Sequence, residues 1–219
     1  MTEDIPEPAP VNHWDIRDKR PSDEILDQIA ATFHRGGVVI LPTDTIYGLH
    51  ARAGDNEGVD RVRQLKKRDA ARPMVVLAAD VDQCIAAGAI IESSLRATLE
   101  NIWPAPLTAI VPASSSLVVN RDQATIAVRV PDIPWLVELM KRTGPLASSS
   151  LNESGQPPIC SLDELPSGLR NGVDGIVEAG PLNGKPSTLV DFTPDEPRLV
   201  RAGAFPFAQK LWKRPRKTL

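Results

Sequence analysis

Apolar residues along the chain fall into two alternating patterns, short continuous runs and stripes at helical spacing, and that alternation predicts an α/β fold. Ile25, Leu26, Ile29, Ala30 and Phe33 share one face of a helix that Ser22 can cap, that Asp23 and Glu24 favour at its positive end, and that Gly36-Gly37 stops. Residues 38–41 are then a β-branched run of the kind buried on both faces of a sheet, and it halts at Pro42. Residues 43–49 read as a polar turn. Val59, Val62 and Leu65 space a second helix that ends in Lys66-Lys67-Arg68, and further helices are expected at 81–87, 91–102 and 135–142. Runs at 73–78, 107–111, 125–130, 145–147, 175–178, 187–192 and 198–201 predict the remaining strands. Ser161 to Glu164 has capping-box spacing just ahead of Pro166, enough for a short helix. Neither a repeat nor a linker interrupts the rhythm after residue 20. The expectation is one α/β domain over residues 21–207, built on a twisted, open mixed sheet flanked by helices. An acidic, proline-rich arm (1–20) precedes it and a basic tail (208–219) follows.

Composition narrows the function classes. With 42% hydrophobic and 24% charged residues in a chain of 219, disorder, collagen-like repetition and coiled coil are excluded. The formal charge of −3 gives no blanket attraction for nucleic acid, so any RNA contact needs a local basic face. Cys84 and Cys160 are the only thiols, too few for a disulfide scaffold and not spaced as a zinc site, which points to a reducing compartment and hence the cytoplasm. No apolar run approaches the roughly 20 residues of a membrane span, and the N-terminus lacks the apolar core of a signal peptide.

Absent motifs remove whole reaction types. His13, His34 and His50 are the only histidines and show no metal-ligand spacing; there is no GxSxG elbow, no P-loop and no GxGxxG. A bound polyphosphate would have to be met by side chains, for which Arg offers a bidentate fork and Lys a point charge. Candidates sit at strand and helix ends, where open α/β sheets place ligands: Lys66, Arg68, Arg129, Ser150, Asn152 and Arg201. Each has a bland alternative, as solvated charge at a helix C-terminus, a turn, or a structural ion pair. The segment Pro42-Thr43-Asp44-Thr45-Ile46-Tyr47-Gly48-Leu49 is denser, ending a buried strand in two hydroxyls, a carboxylate and the single tyrosine.

In order, the blocks PTDTIYGL, KKR, WPAPLT, AVRVPD, SSSLNESG, PSTLVD and LVRAGAF resemble the YrdC-like family of threonylcarbamoyl-AMP synthases, over about residues 21–207. The resemblance implies a twisted α/β sheet with a concave basic cavity. It further implies a nucleotidyltransferase that condenses L-threonine, bicarbonate and ATP, the last with Mg²⁺, into threonylcarbamoyl-AMP and pyrophosphate. A downstream tRNA-modifying complex would use the product at adenosine 37. On this pattern Lys66 and Arg68 are catalytic. ATP would meet Lys66, Arg68, Thr108, Ser150, Asn152 and Arg201, and threonine would meet Thr43, Thr45, Tyr47, Arg129 and Ser187; no protein-held metal is implied. Asp44 stands as a partner for magnesium or an amine, or as a turn residue. The chain departs from the family in Ala105 where glycine is usual, Leu151 where alanine is usual, Lys67 at a position often small, and Leu77 where some members carry histidine. Two other readings remain at this point: a non-catalytic RNA-binding module, touching tRNA or double-stranded RNA through the tail around Trp212, and a paralogue using another carbamoyl adenylate.

Overall fold

A computed structural model describes residues 10–17, 19–67, 74–114, 119, 123–152 and 157–208. Among these residues ten strands join in one mixed sheet: β1 (Asn12–Asp15), β2 (Val39–Pro42), β3 (Tyr47–Arg52), β4 (Val75–Leu77), β5 (Leu107–Pro112), β6 (Thr125–Arg129), β7 (Leu146–Ser150), β8 (Gly175–Glu178), β9 (Thr188–Asp191) and β10 (Arg198–Arg201). Their spatial order is β1-β8-β2-β3-β7-β4-β6-β5-β9-β10. The pairs β1/β8, β2/β8, β4/β6 and β5/β9 are parallel, and the rest are antiparallel.

The helices follow the stripes. α1 (Asp23–His34) is capped by Ser22, whose hydroxyl accepts from the Ile25 amide, and it ends beside Gly36 at φ +78°. α2 (Asn56–Leu65) is capped by Asp55, α3 (Val81–Ala86) by Asp80, and α4 (Ser93–Ile102) and α5 (Pro134–Thr143) complete the longer set. Ser161 caps a single 3₁₀ turn, Leu162–Glu164, and α6 (Ser167–Arg170) begins after Pro166. Leu26, Ile29 and Phe33 of α1 pack with Leu136, Leu139 and Met140 of α5 over Val39, Leu41 and Leu146 on one face of the sheet. Val59 and Val62 of α2 and Leu95 and Leu99 of α4 cover Ile40, Leu49, Val76 and Val128 on the other. Burying both faces is why the central strands are apolar throughout. No helix of the described residues is long and apolar enough to cross a membrane.

The structure departs from the sequence reading in three places. Tyr47 to Arg52, read partly as a turn, is a strand pairing antiparallel with β2, so the turn proper closes in residues 43–46. Ser148 to Ser150 extend β7 instead of leaving it, all three paired with β3 and Ser148 also with β4. Within the arm, Asn12–Asp15 forms an edge strand along β8. Ala105 needs no special backbone: among described residues only Lys67, at φ 46°, is a non-glycine with positive φ. The basic tail, apart from residue 208, lies outside the described residues.

Candidate active site

Register places the site. Residues directly opposite in a ladder share a face, so Leu41, Gly48 and Ser150 align across β2, β3 and β7. Val39, His50, Ser148 and Val75 align likewise, as do Leu146, Leu77 and Arg129 across β7, β4 and β6. This is the face on which α1 and α5 lie. Beside those helices it carries a hollow of about 340 Å³, lined in part by Thr43, Thr45, Tyr47, Thr108, Arg129, Ser148, Ser150, Asn152, Ser187 and Arg201. Nine of these ten were singled out from sequence as site residues; Ser148 was not.

The turn between β2 and β3 is a hydroxyl staple. Thr43 Oγ1 donates to the Ile46 carbonyl at 2.7 Å and accepts from the amides of Thr45 and Ile46. It also sits 2.9 Å from Thr45 Oγ1. Thr43 is therefore committed to holding the turn, while Thr45 accepts from Arg129 Nη1 at 3.1 Å. The other arm of Arg129 pairs with Asp44, and both side chains are almost completely buried, 5% and 10% exposed. Asp44 also accepts from the Asp132 amide at 3.2 Å, so its carboxylate is occupied as an ion-pair partner. Burial pushes the Arg129 guanidinium down from its ordinary value, and Asp44 partly offsets this.

Arg201 reaches the hollow from the last strand. Its Nη2 donates to the Ser187 carbonyl at 2.9 Å, and Ser187 Oγ lies 2.8 Å from Thr108 Oγ1. The guanidinium is held below its ordinary value first by burial and then by the positive charge of Arg129. Two cations facing one space, only one of them with an acid partner among the described contacts, make a receptor for an anion. Tyr47 contributes differently: its hydroxyl donates to Gly180 O at 2.8 Å and accepts from the Ala179 amide at 2.9 Å, so its hydrogen bonds serve the fold. Burial raises that phenol above its usual value, against the Ala179 amide.

Lys66 lies in an adjoining groove of about 840 Å³ with Lys67, Leu151 and Pro157, and Asn152 lines both spaces. Arg68 lies outside the described residues, so its relation to Lys66 is not described. Leu77 presents an apolar side chain to the hollow. What the sequence did not single out is the strand character of the three serines, the Asp44–Arg129 pair and the His50–Ser148 contact. A polar strand carries little hydrophobic periodicity, and long-range pairing leaves no local signal. Among the described residues no group of three or more His, Cys, Asp or Glu gathers as a metal cage.

Comparison with known proteins gives one consistent answer. The family model Sua5_yciO_yrdC, described as "Telomere recombination", matches residues 31–203. The threonylcarbamoyl-AMP synthase of Bacillus subtilis is 32% identical over 187 residues, covering 83% of this chain and 54% of the relative, so the chain spans about half that protein's length. The threonylcarbamoyl-AMP synthase of Chromohalobacter salexigens is 33% identical over 180 residues, covering 80% of this chain and 96% of the relative. Among solved structures, Sua5 from P. abyssi complexed with L-threonine superposes with a TM-score of 0.79 at 28% identity, over 89% of this chain and 58% of that one.

Proposed function

The chain belongs to the Sua5/YciO/YrdC family, and from that membership we infer that it is an L-threonylcarbamoyladenylate synthase. The observation that carries this reading is the hollow in which Arg129, Arg201, Thr45, Ser150 and Asn152 converge, with Asp44 the one acid paired to these cations among the described residues. Such a space suits a ligand with a carboxylate and a polyphosphate. A relative holding L-threonine, and relatives named for the product, support it.

The reaction asks the protein for placement and charge balance. Threonine's amine takes up bicarbonate with loss of water to give a carbamate. A carbamate oxygen then attacks the α-phosphorus of ATP, forming the acyl–phosphate bond as the bond to pyrophosphate breaks. No protein nucleophile is needed, consistent with the missing triad. Arg129 would pair with the amino-acid carboxylate, in place of or beside Asp44. Arg201 and Lys66, with Arg68, would balance the phosphates, Ser150 and Asn152 would hydrogen-bond nucleotide or carbamate oxygens, and Thr108 with Ser187 would support them. Asp44 is engaged with Arg129 and no carboxylate cage forms among the described residues; on this reading Mg²⁺ would arrive on the ATP phosphates. The product's use in modifying tRNA at adenosine 37, by a partner complex in the cytoplasm, belongs to the same proposal.

The test is pyrophosphate release by pure protein given ATP, Mg²⁺, bicarbonate and L-threonine. The expected result is release that depends on threonine. Arg129→Ala and Lys66→Ala should each lower kcat/KM about 30-fold or more, the loss of a charged contact to the ligand of about 2 kcal/mol or more. Folded protein that releases no pyrophosphate with threonine refutes the reading.

A further inference from the structure

His50 takes no part in the reaction above, yet it is fully buried on the face of the sheet that floors the hollow. It stands opposite Ser148 in the β3/β7 ladder, and its Nε2 lies 3.1 Å from Ser148 Oγ. Ser148 in turn lines the hollow and is half-buried, with one side toward the imidazole and one toward the open space. The ring's seat is fixed from behind: a Cβ added at Gly48 would lie 2.9 Å from His50 Cε1. We propose that His50 is a positioning residue for the amino-acid end of the hollow, acting through Ser148. The proposal rests on the synthase reading.

The physical step is the loss of a rotor. An unsupported serine hydroxyl samples three orientations, whereas one tied to a fixed imidazole keeps its remaining hydrogen-bonding capacity pointed one way. Here that way is the hollow. Burial holds the imidazole neutral, its pKa pushed down to about 4 against the carbonyls of Val39 and Gly48, so it supports Ser148 as a dipole and adds no third charge beside Arg129 and Arg201. Ser148 and Arg129 flank β4 on opposite sides, opposite Val75 and Leu77. Two strand spacings and one two-residue step separate their Cα atoms by roughly 12 Å. An arginine side chain and a small amino acid together fill that span, which places a ligand whose carboxylate meets Arg129 with its other polar groups toward Ser148. Asn152 and Lys66 lie past the end of β7, away from this contact.

Calorimetric titration with L-threonine and, separately, with ATP tests the proposal. H50L and S148A are each expected to weaken threonine about tenfold, the loss of one oriented hydrogen bond, while ATP binding stays within twofold. H50Q, whose amide can meet Ser148, should restore threonine binding to within threefold of the native protein. In the S148A background H50L should cost nothing further, because the effect runs through the hydroxyl. If H50L does not fold, H50N serves, its amide being too short to reach Ser148. An equal loss for threonine and ATP, an undiminished H50L effect in S148A, or H50Q as weak as H50L overturns the inference. Native protein that binds threonine while the His50 variants bind it equally well sinks the inference alone; native protein that binds no threonine sinks the synthase reading with it.

Discussion

At the scale of single residues, the sheet beneath the hollow holds a buried imidazole whose protonation the fold sets. His50 has a consequence for stability that is independent of any ligand. In the native protein it stays neutral until about pH 4, whereas in the unfolded chain it titrates near its ordinary 6.5. Between those values the unfolded state binds a proton that the native state refuses, so stability must fall as the pH drops from 6.5 to 4 and is unaffected by this group above 6.5. The full loss is about 3.5 kcal/mol, two and a half units at about 1.4 kcal/mol each, of which about 3 kcal/mol is gone by pH 4. Urea unfolding of the native protein and of H50Q across pH 4 to 7 should therefore converge toward the acid end, the native protein losing about 3 kcal/mol more than the variant. Parallel curves would show that the imidazole reaches water in the fold. Arg129 and Asp44 are held differently: each buried charge is tolerated because the other is present.

At the scale of elements, what the sequence made legible is what local chemistry specifies. Ser22, the α1 stripe and Gly36 determine a helix within one stretch of chain, and the structure forms it there. Thr43, Thr45 and Arg129 were readable as site residues because a recurring block of letters carried them, but the bond between Arg129 and Asp44 spans 85 positions and left no pattern. Strand β3 was hidden because Gly48, His50 and Arg52 interrupt the apolar positions Tyr47, Leu49 and Ala51, although the strand is covered on both faces. Strand β1 was hidden by the prolines around it. That short strand anchors more than its length suggests. Trp14 is buried, donates from Nε1 to Gln28 at 2.9 Å, and covers Gly175 so closely that a Cβ there would meet its ring at 2.5 Å. Trp14→Ala should cost about 3–5 kcal/mol in urea unfolding, as for other large aromatics removed from a core. Turnover by the folded protein should be unchanged, since no residue of β1 lines the hollow. A cost below about 1 kcal/mol would return residues 12–15 to the status of a loose arm.

At the scale of the molecule, the hollow exists only when distant segments meet. Its lining runs from Thr43 to Arg201 and draws on the turn after β2, on β3, β4, β5, β6 and β7, on Pro186 and Ser187 just before β9, and on β10. Assembling it brings Arg201 close enough to Arg129 for their charges to oppose one another, while the paired acid serves only Arg129. The folded state therefore carries a repulsion across the sheet that a bound anion relieves, and the anion must stabilise the whole fold by mass action. Inorganic pyrophosphate at one hundred times its dissociation constant should add about 2.7 kcal/mol. For a chain of this size that is roughly 5–10 °C in Tm, at about 2–4 °C per kcal/mol. Sodium chloride at matched ionic strength should give much less. Arg201→Ala should abolish most of the shift. Arg198→Ala, three positions earlier on the same strand but paired with Asp191 at 3.0 Å and outside the hollow, should retain it. If both variants respond alike, the anion is bound by general surface charge, and the convergence of Arg129 and Arg201 plays no part in holding it.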